Sequence, residues 1–413
     1  MCRYVLLFFS TAAAFAQDWT EFRGPEGQGI STAEGLPVDW SENRNIAWKA
    51  PVPGQGWSSP VVAAGTIWLT TATAVDDQPR GRSLRLLAFD EATGKQMRDI
   101  GIFELANAGQ RHAKNTFATP TPVLDMESGL VFVHFGVLGT AAVRAESGEI
   151  VWTTTLPAYE HVHGGGGSPV VWRDLLIIVC DGVDAQSVVA LEKTTGEVRW
   201  RKKRPAGNMA FATPLIIEAA GRTQLISPSA HRTISYDPAT GEELWSVEYG
   251  DGFSNVPRPV FAHGFVYLCT GFHKPQLLAV RPNGEGNVTE THVAWRAGRG
   301  VSLTPSPIVA GNEILMVSDG GILSNLDART GKLNYQERLG ANFSASPLLA
   351  DGRIYWPSED GVTTVIAPGP EFRKLAANSV DGQTFASLAV SGKSLILRSS
   401  SHLYRISSVI DKR

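Results

Sequence analysis

Cysteine is scarce in this chain, with three in 413 residues, and one of them is Cys2. Cys180 and Cys269 cannot staple a chain of this size, which excludes a disulfide scaffold and a Cys-rich metal module. Charge is also sparse: 19% of residues are charged and the formal net charge is -3. Without a basic excess or a run of like charges, nucleic acid and anionic lipid surfaces are excluded as partners. After the first residues no apolar run reaches the ~18 to 20 residues of a membrane helix. Phosphate-cradling glycine loops and nucleophile elbows are missing too, since the glycines at 164–167 precede a strand rather than a helix.

What the chain does have is glycine and proline, 42 and 24 of them, alongside 43% hydrophobic residues. That composition suits many short strands joined by tight turns. Residues 1–17 read MCRYVLLFFSTAAAFAQ, with Arg3 in a short n-region, an apolar stretch and small residues up to Ala16. This is the pattern of a secretory leader cut after Ala16, and Cys2 is too early to be a lipid-anchoring cysteine. The expected mature protein is exported, periplasmic or secreted, with neither membrane span nor lipid anchor.

The dominant signal is a repeat. Ser59-Pro60, Thr121-Pro122, Ser168-Pro169, Thr213-Pro214, Arg258-Pro259, Ser306-Pro307 and Ser346-Pro347 each open an apolar run, with Ser387-Leu388 as a degenerate eighth. After a first step of 62 residues, the spacings are 40 to 48. A period in the forties in an all-strand pattern predicts a β-propeller. The third repeat shows the unit: SPVVW, LLIIVC, SVVALE and EVRWRKKR read as four antiparallel strands, apolar inside and charged at the outer edge. Cys180 and Cys269 lie at equivalent places two repeats apart, which reads as two buried free thiols.

The turn before each outer strand is the most regular element. Gly94, Gly148, Gly196, Gly241 and Gly331 stand four residues before Arg98, Trp152, Trp200, Trp245 and Tyr335. Glycine accepts the positive φ of such a turn, and Asp90, Asp237 and Asp327 can hydrogen-bond its backbone. The copies LLAFDEATGKQMR, VVALEKTTGEVRW, TISYDPATGEELW and LSNLDARTGKLNY resemble the tryptophan-docking motif A-x-D-x-x-T-G-x-x-x-W of pyrroloquinoline-quinone-type propellers. Arg144 and Glu192 depart from its Asp, and Ser235 and Asn325 from its Ala; Trp295 follows a longer insertion, and Phe372 stands in the seventh repeat. The resemblance covers nearly the whole chain after residue 17. It implies an eight-bladed all-β propeller whose docking aromatics wedge between blades.

The eighth repeat stops after three strands, whereas NIAWKAP at 45–51 reads as an outer strand with no repeat before it. The N-terminal strand is therefore expected to complete the last blade and supply Trp48 as its docking aromatic, removing an exposed sheet edge. The expected organisation is a leader at 1–16, an arm at 17–44 packed across one face, and a propeller at 45–410.

Two kinds of loop surround a propeller's funnel on one face, and ligands favour such mouths. The mapping places Arg111, His112, His161 and His163 in inter-blade loops. It places His231, His273, Asp181, Arg232, Asp319, Glu359 and Asp360 in or beside the loops between second and third strands. Arg258 occupies an inner strand start, where it either offers a cation to a carboxylate or phosphate or pairs with an acid such as Asp319.

Three functions fit these residues. One is a non-catalytic exported binding or scaffolding module for another exported protein or a small ligand, needing no cofactor. For this the chain resembles secreted members of the same repeat family and the propeller lipoprotein of outer-membrane β-barrel assembly. A second is a quinoprotein dehydrogenase, for which the resemblance implies pyrroloquinoline quinone and calcium in the funnel. Such enzymes carry an adjacent Cys-Cys pair that this chain lacks, and Asp181, Asp319 and Glu359 are the available oxygen ligands. A third is a hydrolase or lyase using His161, His163 or His231 as acid or base.

Overall fold

A computed structural model describes residues 18–155, 159–205 and 207–408. The leader read from residues 1–16 lies outside the described residues. Eight four-stranded antiparallel blades form a ring, and the described residues hold only two helical turns, Pro25–Gly27 and Gly136–Leu138. In the third blade the strands are Val170–Trp172, Leu175–Asp181, Gln186–Glu192 and Val198–Lys203, close to the sequence reading. The core lies between blades, where apolar faces such as Leu176, Ile178 and Val189 pack on the neighbouring Phe132 and Trp152.

The outer strand of every blade carries a register shift at the same place. The bulge skips one residue and sets the docking residue opposite the motif's small residue, as in Trp200 against Ala190 and Trp152 against Ala142. The ring then meets the glycine of the next blade's turn. A Cβ on Gly94, Gly196, Gly241 or Gly331 would stand 2.6 to 2.7 Å from the rings of Trp48, Trp152, Trp200 and Trp295 respectively. Each indole also donates to that turn's backbone, to Glu91, Lys193, Pro238 and Ala328 oxygens.

Four docking positions depart from this scheme, among them Tyr335, whose ring meets Phe372 rather than a turn glycine. Trp245 faces a blade without the glycine turn and donates instead to Gln224 Oε1 at 2.7 Å. Arg98 replaces an aromatic and binds the carbonyls of Glu146 and Ser147 in the second blade. Phe372 does not dock on the eighth blade: it precedes the strand Lys374–Ser379 and packs back on Tyr335 of the sixth, ring centroids 5.8 Å apart. Ala376 is the residue that the seventh outer strand offers to the eighth-blade core.

Strand Ile46–Pro51 pairs with His402–Ser407 and completes the eighth blade, with Trp48 opposite Arg405. The arm before it differs from expectation. It does not lie across a face but enters the central channel and binds the free edges of inner strands. Trp19 bridges Val62, Thr20 accepts from Leu124 N–H, and Ile30–Ser31 add a parallel strand to Leu348–Ala350. Inner strand edges hold unpaired N–H and C=O groups, and the arm satisfies them where a short polar loop on the surface would not. Leu36, Val38 and Trp40 then carry the chain out along the seventh blade, where Leu36 N–H donates to Asp351, Trp40 N–H to the Asn378 amide oxygen, and the Asn378 amide to Val38 O.

Cys180 and Cys269 are buried and unbridged, and burial pushes both thiols up to about 12, which makes them inert packing groups.

Candidate functional site

The residue before each proline has a specific task. The backbone N–H of Ser59 donates to the Thr121 hydroxyl at 3.0 Å, Thr121 to Ser168, and Ser168 to Thr213 at 2.9 Å each. The chain of bonds resumes from Arg258 N–H to Ser306, then to Ser346, Ser387 and back to Ser59. A belt of hydroxyls thus ties blade to blade around the channel. It breaks at one link, Thr213 to Arg258, because arginine offers no hydroxyl there.

Extended backbone alternates its side chains, so the residue two before each belt position points the same way as the belt residue. Trp57, Thr119, Gly166, Phe211, Val256, Thr304, Ser344 and Phe385 hold those positions, and all eight line one cavity of about 540 Å³ at the mouth. The belt forms its neck. Phe22, delivered by the arm, closes its floor, so the funnel is a blind cup.

Six aromatic side chains line the cup, with His112 and His163 beside them and His161 and His273 behind. Trp57 stacks on Phe385 at 4.5 Å and donates its indole N–H to Lys114 O. On the opposite side the rings alternate: His161 lies 4.8 Å from Phe211, His163 6.2 Å from Phe211 and 5.8 Å from Phe253, and His273 5.5 Å from Phe253. His112 meets His163 at 5.4 Å. Four of the five histidines expected at one mouth therefore share a ring ladder. His231 sits beside it, with Nδ1 against Gly250 O at 3.0 Å.

Burial is the main force on these imidazoles. His161 is pushed down to about 4 by burial and then by His163, and His163 is lowered by burial and then by His112. Behind His161, fully buried His134 is also held at about 4, by burial and then by His161, with Nδ1 2.8 Å from the Thr140 hydroxyl. No ladder histidine bonds a carboxylate tightly; His273 and Asp251, both exposed, approach to 3.6 Å. Among the described residues no ladder imidazole approaches a carboxylate more closely than that.

The acidic candidates are dispersed and engaged. Asp181 is buried against Arg204 at 2.6 Å, with burial pushing its carboxyl up and Arg204 opposing. Asp319 lines the cup and accepts from Leu303 N–H, Thr304 N–H and the Thr304 hydroxyl; burial still raises its carboxyl. Glu359 pairs with Lys114 at 2.8 Å and accepts from Ser344. Asp360 accepts from Ser358, and Arg232 pairs with Glu248 at 3.4 Å, both away from the cup lining. Arg111 holds the carbonyls of His112 and Asn115 at the rim.

Arg258 corrects the sequence expectation most clearly. Its partner is not Asp319 but Glu21 of the arm, at 2.9 Å, and its remaining donors take Pro214 O and Phe22 O. The arm inside the channel was not foreseen, and it brings the acid.

These carboxylates do not suit calcium. Among the described residues no three His, Cys, Asp or Glu side chains converge as a metal site needs, and Asp181, Asp319 and Glu359 are committed to separate partners. Trp57 offers a ring for stacking, but that ring is already stacked on Phe385, and the described cysteines, Cys180 and Cys269, are buried and unbridged. The quinone and calcium set of the second reading does not fit this cup.

Eight blades, interlocking tryptophans and glycine turns define the class: propellers of the tryptophan-docking repeat type. Within it, the chain belongs to the outer membrane protein assembly factor BamB family, whose model matches residues 30–178, 105–293 and 287–384. It is 21% identical over 245 residues to the outer membrane protein assembly factor BamB of Moranella endobia, covering 57% of this chain and 59% of that protein. It is 28% identical over 146 residues to a quinoprotein ethanol dehydrogenase of Pseudomonas aeruginosa, covering 31% of this chain and 22% of the enzyme. The chain thus spans less than two thirds of either relative. The crystal structure of BamB from Moraxella catarrhalis superposes with a TM-score of 0.61 at 13% identity, covering 87% of this chain and 99% of that one. Among the described residues no helix is long and apolar enough to cross a membrane.

Proposed function

We propose that this protein is an exported, non-catalytic binding module that receives an apolar group of another exported protein or of a small ligand in the cup. The observation that carries this reading is the blind, aromatic-walled cavity of about 540 Å³ with Phe22 as its floor. Apolar wall removed from water on binding contributes roughly 25 cal/mol per Å², so seating one aromatic side chain there is worth a few kcal/mol. The leader at 1–16 supports export, with cleavage after Ala16 and a periplasmic or secreted destination. The relatives named as outer membrane protein assembly factors support a protein partner.

The test is site-specific photo-crosslinking in the native host. A crosslinking residue at Phe253 or Phe385 is expected to trap one discrete exported protein or ligand, whereas one at exposed Val198 on an outer strand is not. Equal trapping from Val198, or none from the cup, overturns the reading.

A further inference from the structure

The hydroxyl belt is more than an inter-blade tie. A serine or threonine hydroxyl has one proton to donate besides the lone pairs that accept. Ser59, Thr121, Ser168, Thr213, Ser306 and Ser387 each accept a bond within the belt. Ser346 donates onward to Ser306, but the protons of those six have no acceptor among the described residues. All six residues line the cup. The neck is therefore a ring of donors.

Buried positive charge surrounds that ring. Arg258 binds Pro214 O, Arg23 binds Pro307 O at 2.8 Å, and Arg398 binds Ser58 O and Thr70 O at 3.2 and 2.8 Å. Pro214, Pro307 and Ser58 are the chain neighbours of Thr213, Ser306 and Ser59, so the three guanidiniums encircle the neck. They share one carboxylate, Glu21 on Arg258. Arg23 and Arg398 have no acidic partner among the described residues. Nε and Nη1 of Arg23, and Nε of Arg398, have no acceptor among the described residues. Burial pushes both guanidiniums down to about 9, helped at Arg23 by repulsion from Arg258. An unpaired buried cation is costly, and a counter-anion in a low-dielectric neck relieves that cost.

We propose that the neck of the cup is an anion site, in which the six hydroxyls hold a carboxylate or other oxyanion in the field of Arg23, Arg258 and Arg398. The anion is either free or the head group of a longer ligand whose apolar body lies against the aromatic wall. The proposal deepens the binding-module reading and rests on it for access, because the belt is reached through the cup. Asp319 also lines the cup, and its charge counts against an anion beside it; its oxygens are held by Leu303 and Thr304, so the belt hydroxyls stay free of it.

The experiment is calorimetric titration of the purified full chain with three probes: 2-naphthoate, its neutral counterpart 2-naphthalenemethanol, and sulfate. The expected result is at least tenfold tighter binding of naphthoate than of the alcohol, with sulfate competing against naphthoate. Equal binding of acid and alcohol overturns the anion site and leaves the cup reading standing. Tighter naphthoate binding that sulfate does not weaken places the charge recognition elsewhere and also overturns it. Sulfate binding without either naphthalene supports the neck as a site for free oxyanions and overturns the cup reading. No binding of any probe overturns both. Thr213→Val and Arg23→Met are each expected to weaken naphthoate at least threefold more than they weaken the alcohol. Melting curves identify a variant that fails to fold, and the comparison of probes on the unaltered protein does not depend on either variant.

Discussion

The Glu21 carboxylate and the Arg258 guanidinium, 237 positions apart in the chain, meet at 2.9 Å inside the channel. The pair joins the arm to the fifth blade and holds Phe22 beneath the cup, since Arg258 also binds Phe22 O. Glu21→Gln leaves Arg258 buried without its counter-charge, and the expected loss of stability is about 1–3 kcal/mol in urea unfolding. Glu149→Gln, in an exposed 3.8 Å pair with Arg144, is expected to change stability by less than about 0.5 kcal/mol. Equal effects would show that the channel contact carries no particular weight.

Docking aromatics differ in depth, and their costs should follow. Trp245 is 1% exposed and bonded to Gln224, so Trp245→Ala is expected to cost about 3–5 kcal/mol. Half-buried Trp48 should cost less as a point change. Removing residues 18–51 takes away a whole strand and the channel arm, and is expected to abolish a single cooperative melting transition. A truncated chain that melts as the full chain does would refute the closure.

Gly196 and Gly221 both have positive φ, at 76° and 73°, but only Gly196 faces a ring, that of Trp152. Gly221→Ala meets nothing within 4 Å and should cost only the backbone strain, about 1 kcal/mol. Gly196→Ala adds a clash in a packed interface and should cost about 1–3 kcal/mol more. Chemical denaturation of the two variants separates strain from docking.

His134 predicts a pH dependence with a definite sign. Burial holds its folded value at about 4, below the ordinary histidine value of about 6.5, so the unfolded chain binds more protons between those limits. Stability is therefore complete above pH 6.5 and falls as the pH drops towards 4, by up to ~3 kcal/mol for this residue. His134→Gln should flatten that part of the curve, read as melting temperature between pH 4 and 7. An unchanged slope would assign the acid sensitivity to other groups.

Pyrroloquinoline quinone with calcium is expected to give no stoichiometric complex with the purified protein, by absorbance and native mass spectrometry. The reason is the commitment of Asp181 to Arg204, Asp319 to Thr304 and Glu359 to Lys114. A one-to-one complex would restore the oxidoreductase reading.

The ring, its blade boundaries and the closing strand were legible because each repeat announces itself with a proline entry and a glycine turn. The docking partners were legible where the turn glycine was present, and failed at Phe372, where the aromatic lies before its strand rather than within it. The cup wall was missed because attention to titratable groups passes over apolar ones. Its signal was present in the sequence, two residues ahead of Ser59, Thr213 and Ser387, at Trp57, Phe211 and Phe385. Arg258's partner was not legible, because nothing in residues 18–31 marks them for a channel rather than a surface.

The closing strand and the channel arm set an order of assembly. Ile46–Pro51 have nothing to pair with until His402–Ser407 exist, and Trp19 to Ser31 occupy a space that only a finished circle encloses. Residues 18–51 precede the blades in the chain yet are thus the last to find their place, and the circle must shut around them. Loop-closure entropy over such sequence distances makes folding slow and leaves apolar edges uncovered meanwhile. A nascent chain of this design therefore depends on being shielded until its final strand arrives.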